Sequence, residues 1–169
     1  MKPFFKQRKS EFDERTLEIR RVTRVVAGGK RFSFRATVVS GDRKGRVGIG
    51  MAKGLDVASA VEKAKRQAEK KMIKVELFAG RTLPYDVEAK YSAARVRLKP
   101  AREGHGLIAG GSVRAVLELL GVKDVSAKIL GRTTNKLTNA MATMEAIKKL
   151  KSRAKTSEER EPDAGNAEE

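Results

Sequence analysis

Apolar and polar residues alternate in segment 31–38 of the chain. One face of this segment would carry Phe32, Phe34, Ala36 and Val38. The other face would carry arginine and hydroxyl side chains. A period of two is typical of a β-strand with one buried face. We therefore predict a strand whose core face includes both phenylalanines and whose solvent face is basic.

Two more strands are predicted beside this one. Segment 16–26 is rich in β-branched residues and ends at a double-glycine turn, while segment 46–51 follows a second glycine-containing turn. Turns of this kind between apolar runs indicate hairpins, so three antiparallel strands are expected. In segment 46–51, Gly48 and Gly50 leave one face almost without side chains. Another element can therefore approach that face closely.

The pattern changes to that of a helix after Asp56. Asp56 is a favourable N-cap residue, and the helix is predicted to run to about residue 74. Its apolar stripe would comprise Val57, Val61, Ala64, Ala68 and Met72. A separate basic stripe would comprise Lys63, Arg66, Lys70 and Lys74. Because basic residues on a helix face are common for solubility alone, the stripe as a whole carries more weight than any member.

A second unit is predicted after a connector at residues 80–84. Residues 85–91 and 94–99 alternate apolar with charged positions, which indicates another hairpin with a basic outer face. Ser112 is placed to cap a helix that Gly121 would end. A strand at 125–130 and a helix at 137–151 complete this unit. The predicted fold class is α+β.

The predicted organisation has four parts. They are a basic N-terminal extension at 1–15, a first domain of three antiparallel strands and a helix at 16–79, a C-terminal α/β domain at 80–151, and a disordered acidic tail at 152–169. The tail lacks Val, Ile, Leu and aromatic residues, which is typical of disorder.

The charge of the chain indicates a polyanionic partner. The 169 residues include 38 Lys and Arg against 21 Asp and Glu, a formal net charge of +17. Such an excess neutralises phosphates and releases their counterions, which is the sequence-independent part of nucleic-acid affinity. An anionic membrane is the electrostatic alternative. Every apolar stretch is interrupted by charge within a few positions, so no membrane partner is expected.

The residue types leave little for catalysis or metal binding. The chain has no cysteine and a single histidine, His105, which excludes disulfides, thiolate nucleophiles and cysteine-based zinc sites. No serine lies in a GxSxG nucleophile motif. We expect no enzyme activity, no metal and no cofactor. Residues 1–10 are basic and lack the apolar core of a secretory signal, so a cytoplasmic protein is expected.

The glycine-rich segment Gly104 to Ser112 is the one candidate for nucleotide binding. Glycines that open onto a helix N-terminus are a ready anion site. No Lys-Ser/Thr pair follows the last glycine, so the segment is not a Walker loop. We interpret the glycines as allowing tight turns and close packing. A nucleotide-binding kinase stays open as an alternative, as does a free-standing double-stranded-RNA-binding protein.

The cations around the predicted turns indicate a function more clearly than the glycine-rich segment does. The predicted RNA-binding residues are Arg20, Arg21, Arg24, Gly28, Gly29, Lys30 and Arg31 at the first turn, Arg43, Lys44 and Arg46 at the second, and Lys53, Lys63, Arg66 and Lys70 elsewhere. Both turns are expected to project and to present these cations to RNA. Because the two phenylalanines are assigned to the core, recognition of RNA backbone and shape is favoured over base stacking.

Three segments carry a family resemblance. They are Val25-Val-Ala-Gly-Gly-Lys-Arg-Phe-Ser-Phe34, Gly45-Arg-Val-Gly-Ile-Gly50 and Ile108-Ala-Gly-Gly-Ser-Val-Arg-Ala-Val-Leu-Glu118. In order and spacing they resemble the hallmark segments of ribosomal protein five of the bacterial small subunit, and the similarity extends from about residue 18 to 150. The resemblance implies a double-stranded-RNA-binding-like first domain. It also implies a βαβ-type second domain of a fold shared with certain small-molecule kinases.

The resemblance also implies a function. A member of this family binds small-subunit ribosomal RNA, braces the head of the subunit against its body, lines the messenger entrance and contributes to decoding accuracy. Its expected protein partners are small-subunit proteins four and eight, and no homo-oligomer is expected. The hairpin near the spectinomycin site maps onto residues 21–30. The surface towards protein four maps onto Gly104, Gly106, Gly110, Gly111 and Arg114.

Overall fold

The first half of the chain folds into a four-stranded antiparallel sheet with one helix. The computed structural model describes residues 11–158. The elements are β1 (Asp13–Val26), β2 (Gly29–Gly41), β3 (Arg46–Gly54), α1 (Val57–Lys70) and β4 (Ile73–Lys74), with the strands in the order β1-β2-β3-β4. The three predicted strands and the helix are confirmed. The short β4 was not predicted, and because it pairs with β3, α1 ends at Lys70 instead of near residue 74.

The second half forms a mixed sheet with two helices. The elements are β5 (Val87–Tyr91), β6 (Ala94–Pro100), β7 (Leu107–Ile108), α2 (Gly111–Leu120), β8 (Val125–Ile129) and α3 (Lys136–Glu158), with the strands in the order β5-β6-β8-β7. Strand β7 pairs in parallel with β8, so β7, α2 and β8 form a βαβ crossover. The predicted α+β class and the βαβ-type second half are confirmed. Strand β7 lies inside the glycine-rich segment and was missed.

The glycine face of β3 packs against α1, as predicted. A Cβ at Gly50 would lie 2.6 Å from the Ala68 nitrogen and would overlap the carbonyl oxygen of Ala64. The residues of α1 that are buried at this contact are Ala60, Ala64 and Ala68. The predicted apolar stripe is therefore wrong at Val57, which is 38% exposed. Only small side chains allow the two backbones to approach this closely.

The caps of the helices differ from those predicted at two positions. Asp56 is the N-cap residue of α1, but its side chain makes no capping bond; the Ser59 hydroxyl instead donates to the Asp56 carbonyl at 3.0 Å. Gly110, not Ser112, is the N-cap residue of α2. Gly121 ends α2 with a φ of 95°, as predicted. A left-handed residue at this position is what favours glycine.

Strand β2 is buried on both faces over its second half. Ala36 and Val38 pack with α1, whereas Val39 packs into the core that also holds α2 and α3. Thr37 is only 2% exposed, so the prediction of a solvent face applies only to the first half of the strand. Phe32, assigned to the core from sequence, is 46% exposed. The outer part of the β1–β2 hairpin extends past the residues that α1 covers.

The turn between β2 and β3 docks on the C-terminal end of α2. The backbone N–H groups of Arg43 and Gly45 donate to the carbonyls of Leu119 and Leu120, both at 2.9 Å. A side chain at Gly121 would overlap the Arg43 carbonyl. These bonds satisfy carbonyl groups that a helix end leaves free. The prediction that this turn projects freely is therefore wrong, because its backbone joins the two halves of the molecule.

Helix α3 is longer than predicted. It starts beside Asn135, whose side-chain Oδ1 accepts from the Leu137 N–H at 3.1 Å, and it continues to Glu158 instead of ending at Lys151. The apolar positions stop near Leu150, but the residues that follow include good helix formers and no glycine or proline before Pro162. Strand β1 begins at Asp13, inside the extension predicted at 1–15, and α3 includes residues 152–158 of the tail predicted to be disordered, so both boundaries were wrong. Residues 1–10 of the extension and 159–169 of the tail lie outside the described residues.

Candidate nucleic-acid interface

The register of the first sheet brings five cations onto one face. Residues directly opposite each other in antiparallel strands point to the same side. Arg24 is opposite Arg31, Arg20 is opposite Arg35, and Arg35 is opposite Lys53. We call these five residues the arginine face. It lies on the side of the sheet away from α1.

The arginine face keeps like charges in direct opposition. Such cross-strand pairs destabilise a sheet. Within the described part of the chain, the ion pair made by this face is that of Arg20 with Glu18, at 2.8 Å. The other four cations therefore keep an uncompensated charge. A polyanion bound to this face would relieve the repulsion. The opposition of like charges is therefore the strongest indication of a nucleic-acid contact among the described residues.

Arg35 belongs to this face and was absent from the residues predicted to bind RNA. The prediction concentrated on residues around turns, and Arg35 lies in the middle of β2. The signal that finds it is the alternation of segment 31–38, because Arg35 and Arg31 share the basic side of the strand. Arg35 is partly buried, whereas Arg20, Arg24, Arg31 and Lys53 are exposed.

The opposite side of the hairpin carries Arg21 and Lys30 with an exposed aromatic ring. The Arg21 guanidinium lies 4.7 Å from the centroid of the Phe32 ring. Gly28 and Gly29 form the tip, where an added side chain would meet nothing within 4 Å, although Gly29 has a φ of 138°. An arginine over an exposed ring is a surface on which a base can stack. Base stacking, disfavoured from sequence, is therefore available at this hairpin.

The cations predicted to bind RNA at the second turn are largely neutralised by aspartates. Arg43 forms an ion pair with Asp13 at 2.8 Å, and Arg46 forms one with Asp42 at 2.5 Å. Burial raises the pKa of Asp42, but hydrogen bonds from the Arg46 side chain and from the Lys44 and Arg46 N–H groups together hold that pKa below its ordinary value. Lys44 is the exposed cation that remains free to contact a phosphate.

The predicted basic stripe of α1 lies on the other side of the first domain. Lys63, Arg66 and Lys70 are exposed, and Arg66 forms an ion pair with Glu62 at 2.5 Å. Helix α1 packs on the side of the sheet that carries Gly48 and Gly50, opposite the arginine face. The structure therefore does not bring the stripe and the arginine face into one surface.

A buried carboxylate holds the glycine-rich loop that precedes α2. Asp124 is 2% exposed, and its side chain accepts from the Gly106 N–H at 3.0 Å and from the Arg81 Nε at 3.1 Å. Arg81 also forms an ion pair with Glu103. The Gly106 hydrogen bond, with Arg81 adding to it, lowers the pKa of Asp124. No local sequence signal links Asp124 to the loop, so this role was missed.

The glycines assigned to a partner surface have different roles. Gly104 and Gly106 have φ values of 84° and 76°, so they serve the turn, and added side chains there or at Gly111 would meet nothing within 4 Å. At Gly110 an added Cβ would lie 2.9 Å from the Ile129 Cδ1. Close packing is therefore confirmed only at Gly110. Arg114 is exposed on α2, so these positions form an open surface.

Replacing Asp124 by asparagine should remove part of the acid sensitivity of the fold. Because the folded-state pKa of Asp124 is lowered, its ionised form stabilises the fold above its ordinary pKa of 3.8, and this contribution is lost as the pH falls through the lower folded-state pKa. We expect Asp124→Asn to lower the melting temperature at neutral pH, and the difference from wild type to shrink below about pH 4. Thermal unfolding across this pH range checks this. A difference that is the same at every pH would contradict it.

Metal-binding clusters and membrane-spanning helices were sought in residues 11–158. No group of three or more His, Asp or Glu side chains in residues 11–158 could hold a metal ion. Among the helices of these residues, none combines the length and the apolar character that crossing a bilayer requires.

Comparison with known proteins gives one consistent result. The family model for ribosomal protein S5, N-terminal domain, matches residues 12–76, and the model for ribosomal protein S5, C-terminal domain, matches residues 89–160. The chain is 53% identical to small ribosomal subunit protein uS5 of Sulfurihydrogenibium sp. over 140 residues, which is 83% of this chain and 72% of the relative. It is 44% identical to protein uS5c of Rhodomonas salina over 155 residues, 92% of each chain.

Proposed function

This chain belongs to the ribosomal protein S5 family, and from that premise we propose how it holds the RNA of the small ribosomal subunit. Family membership makes it a structural constituent of the small subunit that binds RNA and takes part in translation, and not an enzyme. The kinase and the free-standing RNA-binding protein are therefore set aside. Its location on the ribosome follows from the same membership.

We propose that the arginine face lies along the phosphate backbone of small-subunit ribosomal RNA. The observation that carries this proposal is the direct opposition of like charges across β1, β2 and β3, with one acid to offset them. Phosphates supply the missing negative charge, and the release of their counterions drives binding. The hairpin tip at residues 21–30 then extends past the face, where Arg21 and Phe32 can stack on an unpaired base.

The two halves are proposed to act as one rigid body that braces the head of the subunit against its body. In the proposed division into domains at 16–79 and 80–151, the turn at residues 42–45 belongs to the first domain and is hydrogen-bonded to α2 of the second. What supports rigidity is the shared core, in which Val39 and Val47 pack with Leu119 and Ile147. Tightly packed interiors transmit displacement instead of absorbing it. RNA elements bound to the two halves would therefore keep a fixed separation.

The glycine-rich loop is proposed to face small-subunit protein four. The surface comprises Gly104, Gly106, Gly110, Gly111 and Arg114. Its support is that three of these glycines leave open space, while Asp124 holds the loop in one conformation. A preformed loop binds a partner without a large ordering cost. Contact with protein eight, a place at the messenger entrance and an effect on decoding accuracy complete the proposal.

Sedimentation tests the proposed phosphate-dominated attachment. We expect the chain to co-sediment with the small subunit in a sucrose gradient and to be released only as salt is raised, because each phosphate contact weakens as counterions accumulate. A variant with Arg20, Arg24, Arg31 and Arg35 replaced by glutamine should be released at lower salt than wild type. Retention of both proteins to the same salt concentration would contradict the proposal.

A further inference from the structure

The sheet of the second half has a face that no helix covers. Val96, Leu98 and Ala127 point into the shared core, so alternate residues of the same strands point outwards. The outward residues of β5, β6 and β8 are Glu88, Lys90, Arg95, Arg97, Lys99, Ser126 and Lys128. Every one of them is charged or hydroxyl, and cations outnumber the single acid. None of them was among the residues predicted to bind RNA.

The register of this sheet also places like charges opposite each other. Lys90 is opposite Arg95 on β5 and β6, and Arg97 is opposite Lys128 on β6 and β8. Such pairs cost stability unless another charge offsets them. The arrangement repeats, on a different sheet, the feature that marks the arginine face.

The acidic residues on this side form ion pairs with the arginines and not with the lysines. Arg95 forms an ion pair with Glu88, and Arg97 forms one with Asp86 at 2.7 Å. The hydrogen bond from Arg97, with the charge of Lys99 adding to it, lowers the pKa of Asp86, so this acid stays ionised. Within residues 11–158, ion pairing of the exposed ammonium groups of Lys90, Lys99 and Lys128 is not observed.

We propose that Lys90, Lys99 and Lys128, the lysine face, bind the phosphate backbone of a second RNA segment. The inference rests on the proposed function, since it gives the protein a second RNA contact. The arginine face and the lysine face belong to different sheets joined by one core, so the protein bridges two RNA segments at a fixed separation. Neither face alone provides such a bridge.

The composition of the lysine face favours RNA over a protein partner. The centre of a protein interface is depleted of charge and enriched in aromatic side chains. The outward positions of β5, β6 and β8 hold neither aromatic nor aliphatic side chains; the exposed aliphatic side chain on this face is that of Ile108, on the edge strand β7 beside Ser126. Lysine is a flexible point charge that suits a phosphate of the backbone without demanding a particular base. Lys99 and Lys128 lie on adjacent strands two residues out of register, which separates their Cα atoms by about 8 Å, and Lys90 lies roughly 12–14 Å from each of them, so the three lysines span one strip of the sheet.

The test compares two triple variants of equal charge. The lysine-face variant is Lys90→Gln, Lys99→Gln and Lys128→Gln; the control variant is Lys71→Gln, Lys123→Gln and Lys136→Gln, which changes three exposed lysines elsewhere. Binding to a full-length small-subunit ribosomal RNA transcript is measured as a function of salt. We expect the slope of log affinity against log salt to fall by about three in the lysine-face variant, and by less than about one in the control.

A second measurement reports bridging directly. Two RNA duplexes, one with a donor dye and the other with an acceptor dye, are mixed with each protein. Wild type and control should bring the dyes together and give energy transfer. The lysine-face variant should still bind one duplex through the arginine face but give no energy transfer.

The outcomes separate this inference from the proposed function. A wild-type salt slope together with wild-type bridging in the lysine-face variant would overturn the inference, as would loss of a small-subunit protein from the assembled particle without any change in RNA binding. If a variant of the arginine face keeps full RNA affinity, the proposed function itself fails. Should the triple variant not fold, the single variants Lys99→Gln and Lys128→Gln are expected to lower the slope by about one each.

Discussion

Replacing Arg20, Arg24, Arg31 and Arg35 by glutamine is expected to weaken binding to small-subunit ribosomal RNA by on the order of 100-fold at physiological salt. The slope of log affinity against log salt should fall by about four, one for each phosphate contact removed. Both effects follow from the register of β1, β2 and β3, which places these side chains on one face. Filter binding of the RNA at several salt concentrations measures both.

The same variant should be as stable as the wild type or more stable. Each opposed pair of like charges destabilises the sheet by roughly 0.2–1 kcal/mol, and glutamine removes that repulsion while keeping a similar length. Affinity and stability are therefore expected to change in opposite directions. A loss of RNA binding caused by misfolding would instead lower the free energy of unfolding.

A charge-matched control excludes a general effect of net charge. Arg102, Lys123, Arg132 and Lys136 are exposed and lie outside both proposed faces. Their replacement by glutamine should leave the salt slope within about one of the wild-type value. Equal weakening by the two fourfold variants would mean that RNA senses only the total charge of the protein, and the arginine face would lose its assigned role.

Replacing Gly50 by alanine should destabilise the fold by about 3 kcal/mol or more. The added methyl group would lie 2.6 Å from the Ala68 nitrogen and would overlap the Ala64 carbonyl oxygen. These are backbone atoms of α1, so the whole helix would have to move away from β3. Urea unfolding measures the loss as a lower transition midpoint.

Gly111→Ala is the matched control for this prediction. Gly111 is the first residue of α2, and a side chain there would meet nothing within 4 Å. Alanine has the higher helix propensity, so this variant should be neutral or slightly stabilising. A Gly50→Ala protein with wild-type stability would mean that α1 can shift at little cost, and the close approach of helix and strand would lose its importance.

Local patterns were sufficient for the alternation of strand faces and for several glycine positions. The alternation of residues 94–99 places Arg95, Arg97 and Lys99 outside and Val96 and Leu98 inside, and the structure confirms it. Gly121 ends helix α2, and Gly48 and Gly50 allow helix α1 to pack closely on β3, again as predicted. Period and turn chemistry act over a few residues, so they can be read without the fold.

The candidate RNA site was predicted only in part, because charge density near turns is an incomplete guide. Of the arginine face, Arg20, Arg24, Arg31 and Lys53 were predicted to bind RNA, whereas Arg35, which lies opposite both Arg20 and Lys53, was not. Arg43 and Arg46 were given the same weight, yet each forms an ion pair with an aspartate. Whether a cation is free depends on acids that register and docking bring near, and these are set by contacts distant in sequence.

Fold class, hairpins, the basic character of the surface and the family resemblance all followed from the order of residues. What covers each face was decided by the tertiary structure. Phe32 and Thr37 lie on opposite sides of β2, but only the packing of α1 and α2 leaves the ring exposed and buries the hydroxyl. The tertiary structure also decided that the 42–45 turn docks on α2 and that the Asp124 side chain accepts a hydrogen bond from the Gly106 N–H. Periodicity states which residues share a face; burial of apolar area against distant elements selects the face that meets solvent, and with it the cations left free for RNA.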